Sequence, residues 1–173
     1  MNSNSKLIIG TANFLNKYGV FYNNKVNIDQ INNVFKIINK NKIKFIDTAI
    51  SYKDCDKVLG KYNLNEIKII SKIGYYEKNK SENFLIDKII KTIENLNQQK
   101  LYCLLLHSPI SSIKHPNKIY INMLNKIKSN NLTSKIGVSV YSPEELKICF
   151  NELKLDVVQL PINIFDNRFI KTG

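Results

Sequence analysis

An α/β fold built on a parallel sheet is the class this sequence predicts, and three observations predict it. Short apolar runs alternate with longer stretches of helical period. The runs are continuously apolar instead of alternating, as strands covered on both faces require. The helical stretches open on residues that cap helices, and the whole reads as repeated β-α units.

The elements follow in order. The first strand is read in KLIIGT (6–11), ahead of GTANFLNKYG (10–19). Asn27 then caps a helix whose Ile28, Ile31, Phe35 and Ile38 share one face. IKFID (43–47) and IKIIS (67–71) are the second and third strands. Ser81 caps a helix carrying Phe84, Ile89, Ile93 and Leu96, and LYCLLLH (101–107) is the fourth strand. Pro116 suits a first helical turn ahead of Ile119, Met123 and Ile127. KIGVSV (135–140) is the fifth strand, and SPEEL (142–146) joins a serine cap, a first-turn proline and a glutamate three residues on, a capping box. DVVQLP (156–161) is the sixth. No linker or low-complexity break interrupts the chain, so residues 1–173 read as one domain.

Composition narrows the function classes. The 173 residues, 43% hydrophobic, suit one soluble domain with a substantial core. No apolar run approaches the roughly 18 to 20 residues of a membrane helix, and MNSNSKLIIG is too brief in apolar residues for a secretory signal. The cytoplasm is the expected compartment. Cys55, Cys103 and Cys149 are far apart and odd in number, which argues against zinc or disulfides and for reduced, buried thiols. The net charge of +12 is almost all lysine, with Arg168 the sole arginine, and is spread among Asn and Ile. That resembles the codon bias of an AT-rich genome more than a nucleic-acid patch. The densest basic and aromatic stretch, GYYEKNK (74–80), reads as a solvated loop. No nucleic-acid or membrane partner is expected.

Two architectures compete for the β-α pattern. A dinucleotide-binding open sheet calls for a glycine-rich turn after its first strand, and GTANFLNKYG lacks it. In a (β/α)8 barrel, chemistry collects where strands end. There the sequence places Asp47, Lys72 and His107 at the ends of strands two, three and four, with Tyr52 just beyond Asp47 in FIDTAISY (45–52). Adjacent parallel strands about 4.8 Å apart would bring an acid, an ammonium and an imidazole to one rim. Each has an ordinary reading: a turn aspartate, a surface lysine, an amphipathic tyrosine, a turn histidine. Four at corresponding positions outweigh those readings together.

The motifs GTANF and YG, FIDTAISY, Leu59-Gly60, SKIG, LLLHSP, GVSVYSPEEL and VVQLPIN resemble, in kind and order, the aldo/keto reductases, from about residue 6 to the end. The resemblance implies a (β/α)8 TIM barrel, NADP(H) as cofactor without a Rossmann domain, and a catalytic tetrad matching Asp47, Tyr52, Lys72 and His107. It implies Ser139 and Gln159 on the nicotinamide carboxamide, with Thr11 and Asp47 near the cofactor. Val140 stands where many members carry Asn. The implied reaction reduces an aldehyde or ketone, with Tyr52 donating the proton. A phenol with pKa near 10 is a reluctant donor at pH 7, and a nearby cation makes it a better one. Lys72 is placed to be that cation, Asp47 to partner the lysine, and His107 to orient the carbonyl oxygen. The substrate class implied is a small carbonyl compound, sugar-related compounds included.

Six strands in 173 residues scale to about 230 residues for eight, near the typical barrel of about 250. The expectation is therefore a barrel with about six of its eight units, cut after the sixth strand, before the loop that in the family grips the cofactor's pyrophosphate. Open barrel edges would favour self-association. Two other readings stand beside the reductase: an inactive remnant serving as an interaction domain, and a barrel isomerase or phosphate-binding enzyme sharing the same rim.

Overall fold

A computed structural model describes residues 6–15, 26–74 and 80–171. Within them the elements run β1 (Ile8–Gly10), α1 (Ile28–Asn41), β2 (Phe45–Asp47), α2 (Cys55–Leu59), β3 (Lys68–Ile73), α3 (Glu82–Asn95) and β4 (Leu101–Leu106). They continue with α4 (Pro109–Ile113), α5 (Ile119–Ser129), β5 (Thr133–Ser139), α6 (Pro143–Glu152), β6 (Val157–Gln159) and α7 (Arg168–Lys171). Tyr18 and Gly19, and residues 75–79 of the basic loop, lie outside the described residues.

The six strands pair in parallel in chain order, β1 to β6. A doubly wound sheet would reverse its strand order at a switch point, so this order is the wall of a barrel with about six of eight units in place. One face of the wall packs on helices: Ile46, Ile69, Ile73, Leu104, Leu106 and Val138 join the buried faces of α1, α3 and α5 in one core. The opposite, concave face carries a smaller cluster of Ile70, Cys103 and Leu105. Gly137 is required where β5 meets β6, because a Cβ there would lie 2.0 Å from the Val157 carbonyl oxygen and 2.8 Å from Leu105 Cδ2.

Three helices start as their caps predict. The Asn27 side chain accepts from Gln30 N at 2.9 Å while Gln30 Oε1 accepts from Asn27 N at 2.9 Å, a full capping box on α1. Ser81 Oγ accepts from Phe84 N at 3.2 Å. Ser142 Oγ accepts from Glu145 N at 3.3 Å, but the Glu145 carboxylate reaches one residue further back than a box requires and accepts from Tyr141 N at 2.7 Å.

Two expectations give way. Ile28 is exposed, because it is the first helical residue of α1 and its side chain leans off the N-terminal end, away from buried Ile31, Phe35 and Ile38. Pro116 does not open a helix: Lys118 N donates to the His115 carbonyl at 2.9 Å, making a β-turn with the proline second, and Lys118 then takes a left-handed φ of 49° before α5 begins. His115 is buried in that turn, where Nδ1 accepts from Asn117 N at 3.4 Å.

Candidate active site

The parallel register sets the site. Gly10 pairs with Asp47, Asp47 with Ile70, Lys72 with Leu105, and Ser139 with Gln159, so Asp47, Lys72, Ser139 and Gln159, each last or next to last in its strand, come to one end of the sheet. Side chains alternate along a strand, which turns Ile70 and Lys72 to the same face and puts Lys72 above the apolar cluster of the concave side.

Lys72 is deeply buried, and its ammonium is fully partnered. Nζ donates to Asp47 Oδ1 at 2.6 Å, to Asp47 Oδ2 at 2.7 Å and to the Thr48 carbonyl at 3.0 Å, which uses its three hydrogens. The Lys72 and Asp47 side chains are 4% and 16% exposed. A charge this far from water persists only with such a partner. Asp47 is held in turn: Gln159 Nε2 donates to its Oδ1 at 3.2 Å, while Thr11, through both N and Oγ1, donates to its carbonyl at 3.0 Å.

Tyr52 follows in the turn between β2 and α2. Its N donates to the Ala49 carbonyl at 3.0 Å and its carbonyl accepts from Cys55 N at 3.1 Å, which fixes where the half-buried side chain emerges. The ring stands edge-on to His107, with centroids 6.4 Å apart and planes at 79°, and Lys72 Nζ lies 5.9 Å from the Tyr52 centroid. His107 is placed by its own N–H, which donates to the Ile73 carbonyl at 2.9 Å. Burial, and then the Lys72 ammonium, push the His107 pKa down from its ordinary value, with Asp47 opposing.

Asp47, Tyr52, Lys72, His107, Ser139 and Gln159 thus line one cleft of ≈ 260 Å³. Ala12, Val140 and Leu160 add apolar wall to it. Thr11 is fully buried behind the cleft, bracing Asp47, and Ala12 takes the lining position beside it. Val140 offers the cleft no polar side chain, and its N–H is spent on the Gln159 carbonyl at 2.9 Å. A larger cleft of ≈ 740 Å³ around Ile38, Lys42 and Glu66 gathers no comparable chemistry, since Glu66 is paired with Lys44.

Four lining residues were not among the candidates the sequence offers. Ala12, Tyr141, Leu160 and Pro161 each sit one or two residues beyond a strand end, in the zone where rim chemistry is sought, but none of these types carries a signal of its own. Among the described residues no group of His, Cys, Asp and Glu is arranged to hold a metal ion, and no helix is long and apolar enough to cross a membrane. Burial raises the thiol pKa values, that of Cys103 to about 12 and that of Cys149 to about 11.

The sequence profile of the Aldo/keto reductase family matches residues 6–173. The chain belongs to the aldo/keto reductase family. Solved structures agree on the fold. A protein from Pseudomonas aeruginosa assigned as an aldo-keto reductase is 20% identical with a TM-score of 0.78, over 95% of this chain and 66% of its own. A Bacillus halodurans aldo-keto reductase in holo form gives 17% and 0.75, over 96% and 56%. A silkworm, Bombyx mori, aldo-keto reductase complexed with NADPH gives 18% and 0.68, over 90% and 51%. The chain therefore spans about half to two thirds of the length of these aldo-keto reductases. Comparison with curated protein sequences finds no match.

Proposed function

We propose that this aldo/keto reductase is an NADP(H)-dependent oxidoreductase that reduces an aldehyde or ketone to an alcohol, with Tyr52 as proton donor. The observation that carries the reading is the buried Lys72–Asp47 pair beneath a tyrosine that faces His107 across one small cleft.

The residues suit a nicotinamide cofactor. A primary carboxamide needs a donor and an acceptor. Ser139 makes no side-chain hydrogen bond among the described residues, and Gln159, with Nε2 committed to Asp47, keeps its carbonyl oxygen to accept. Val140 supplies only apolar contact on that side. When bound, the cofactor supplies a hydride to the carbonyl carbon.

The chain's own groups do the rest. The Tyr52 hydroxyl gives its proton to the carbonyl oxygen as the C=O bond becomes C–O, and the phenolate left behind is stabilised by the Lys72 ammonium. Asp47 keeps that ammonium charged in a buried place. His107, its pKa lowered by burial and by Lys72, is neutral at pH 7, so one ring N–H donates to the oxygen without adding a second cation. Thr11 acts through the Asp47 backbone. The substrate is a small carbonyl compound, sugar-related compounds included.

A second reading, a non-catalytic interaction domain, is favoured by one observation: among the described residues β1 and β6 lie at the sheet edges, and beyond β6 Ile164 and Phe165 are 88% and 92% exposed. One assay separates the two. Aldehyde-dependent consumption of NADPH with equimolar alcohol formed supports the reductase. A folded chain that neither consumes nor binds NADPH leaves the interaction domain.

A further inference from the structure

Beside the cleft already described lies a second one of ≈ 220 Å³, and His107 and Tyr141 line both. The second cleft is walled by Ser108 to Ser111, the N-cap and first three residues of α4, and by Glu145, the third residue of α6. Among the described residues Glu145 has no ion-pair partner; its Oε2 accepts only the Tyr141 N–H at 2.7 Å. Of the cations nearby, Lys72 is paired with Asp47, and Arg168 is shared between Asp166 at 2.7 Å, the Tyr141 carbonyl at 3.2 Å and the charge of Glu144. Glu144, an exposed carboxylate on the same turn, answers to Arg168 and leaves Glu145 as the carboxylate facing the cleft, while burial and Lys72 hold His107 toward its neutral form. Tyr141, 58% exposed, stands between the two clefts. A carboxylate without a counter-ion beside an available aromatic ring is the pairing that holds an alkylammonium group.

We propose that Glu145 and Tyr141 select the charge of the substrate: a carbonyl compound seated at Tyr52 and His107 extends a short tail into the second cleft and carries an ammonium group there. The proposal rests on the reductase reading for its carbonyl end. A tail ending in a carboxylate would face Glu145 at close range and be disfavoured, and a neutral tail falls between.

The variant Glu145→Gln tests this without removing the helix cap, because the amide oxygen still accepts the Tyr141 N–H. Three short aldehydes with a cationic, a neutral and an anionic tail serve as probes: 4-trimethylammoniobutanal, butanal and 4-oxobutanoate. The protein should prefer them in that order, and Glu145→Gln should raise KM for the cation by about fivefold with kcat unchanged, the size of one partly exposed charge pair. Butanal should be unaffected. Equal use of all three aldehydes, or an equal loss for butanal, overturns the proposal. Amide NMR titration with butyltrimethylammonium, butanol and butyrate decides the matter without turnover. The cation should bind tightest, shift Ser108 to Ser111 and Tyr141 to Glu145, and fall to the level of butanol in Glu145→Gln. Cation binding that survives the substitution, or butyrate shifting the same amides as strongly, contradicts the proposal. Failure of every aldehyde to turn over would count against the reductase reading, and the titration would still judge the ammonium site.

Discussion

Replacing Asp47 with Asn leaves the Lys72 ammonium without a counter-charge in a place where the side chain is 4% exposed. Both short contacts, at 2.6 and 2.7 Å, become contacts to a neutral amide, and the Thr48 carbonyl at 3.0 Å remains the only certain acceptor. Breaking a buried pair by removing one partner costs roughly 3–5 kcal/mol. We expect Asp47→Asn to lose about 3 kcal/mol, a large part of the ~5–15 kcal/mol that holds a typical domain together. Urea unfolding followed by far-UV circular dichroism at pH 7 measures it. Adding Lys72→Met should return most of the loss, because an apolar side chain of similar length replaces the pair at little cost, and the coupling between the sites should be about 2 kcal/mol or more. A loss below about 1 kcal/mol, or a double variant as unstable as the two single losses added, would refute the view of this pair as buried and mutually dependent.

Two further outcomes follow. Gly137→Ala puts a methyl group 2.0 Å from the Val157 carbonyl oxygen, so β6 must shift and take Gln159 with it; we expect about 2 kcal/mol or more of destabilisation, seen as a lowered Tm, together with weaker cofactor binding. His107 should titrate below 6.5 by NMR, because burial and the Lys72 ammonium disfavour its charged form. The unfolded chain then takes up that proton before the folded one, so the stability tied to His107 is fully present above about pH 6.5 and is lost as pH falls through the folded pKa. Urea midpoints between pH 7 and pH 5 should fall less in His107→Gln than in the unchanged protein.

Much of the site was legible in the sequence, for a physical reason. Parallel strands buried on both faces are apolar throughout, so the polar residue that ends each run, Asp47, Lys72 or His107, stands out against it, and a barrel sends all such ends to one rim. Asn27, Ser81 and Ser142 announced their helices because a cap side chain satisfies backbone donors wherever the chain goes next. What stayed hidden has little local signature. The five-residue helices α2 and α4 are too short to show a period. Pro116 suits a β-turn as well as a helix start, and the left-handed Lys118 that decides between them leaves no mark in composition. Glu145 looked like a cap and nothing more, because only the fold brings it to a cleft next to His107. Thr11 read as a cofactor neighbour by resemblance, and its bond to the Asp47 backbone depends on the pairing of β1 with β2.

The most direct measurement compares the protein with its Tyr52→Phe variant in aldehyde-dependent oxidation of NADPH, alongside cofactor affinity by calorimetry. The substitution deletes one oxygen and leaves the ring beside His107 and Lys72. The proton-donor role of Tyr52 requires that NADPH binding is unchanged while kcat falls by a factor of about 100 or more. Turnover that persists in Tyr52→Phe within a few-fold of the parent would contradict it.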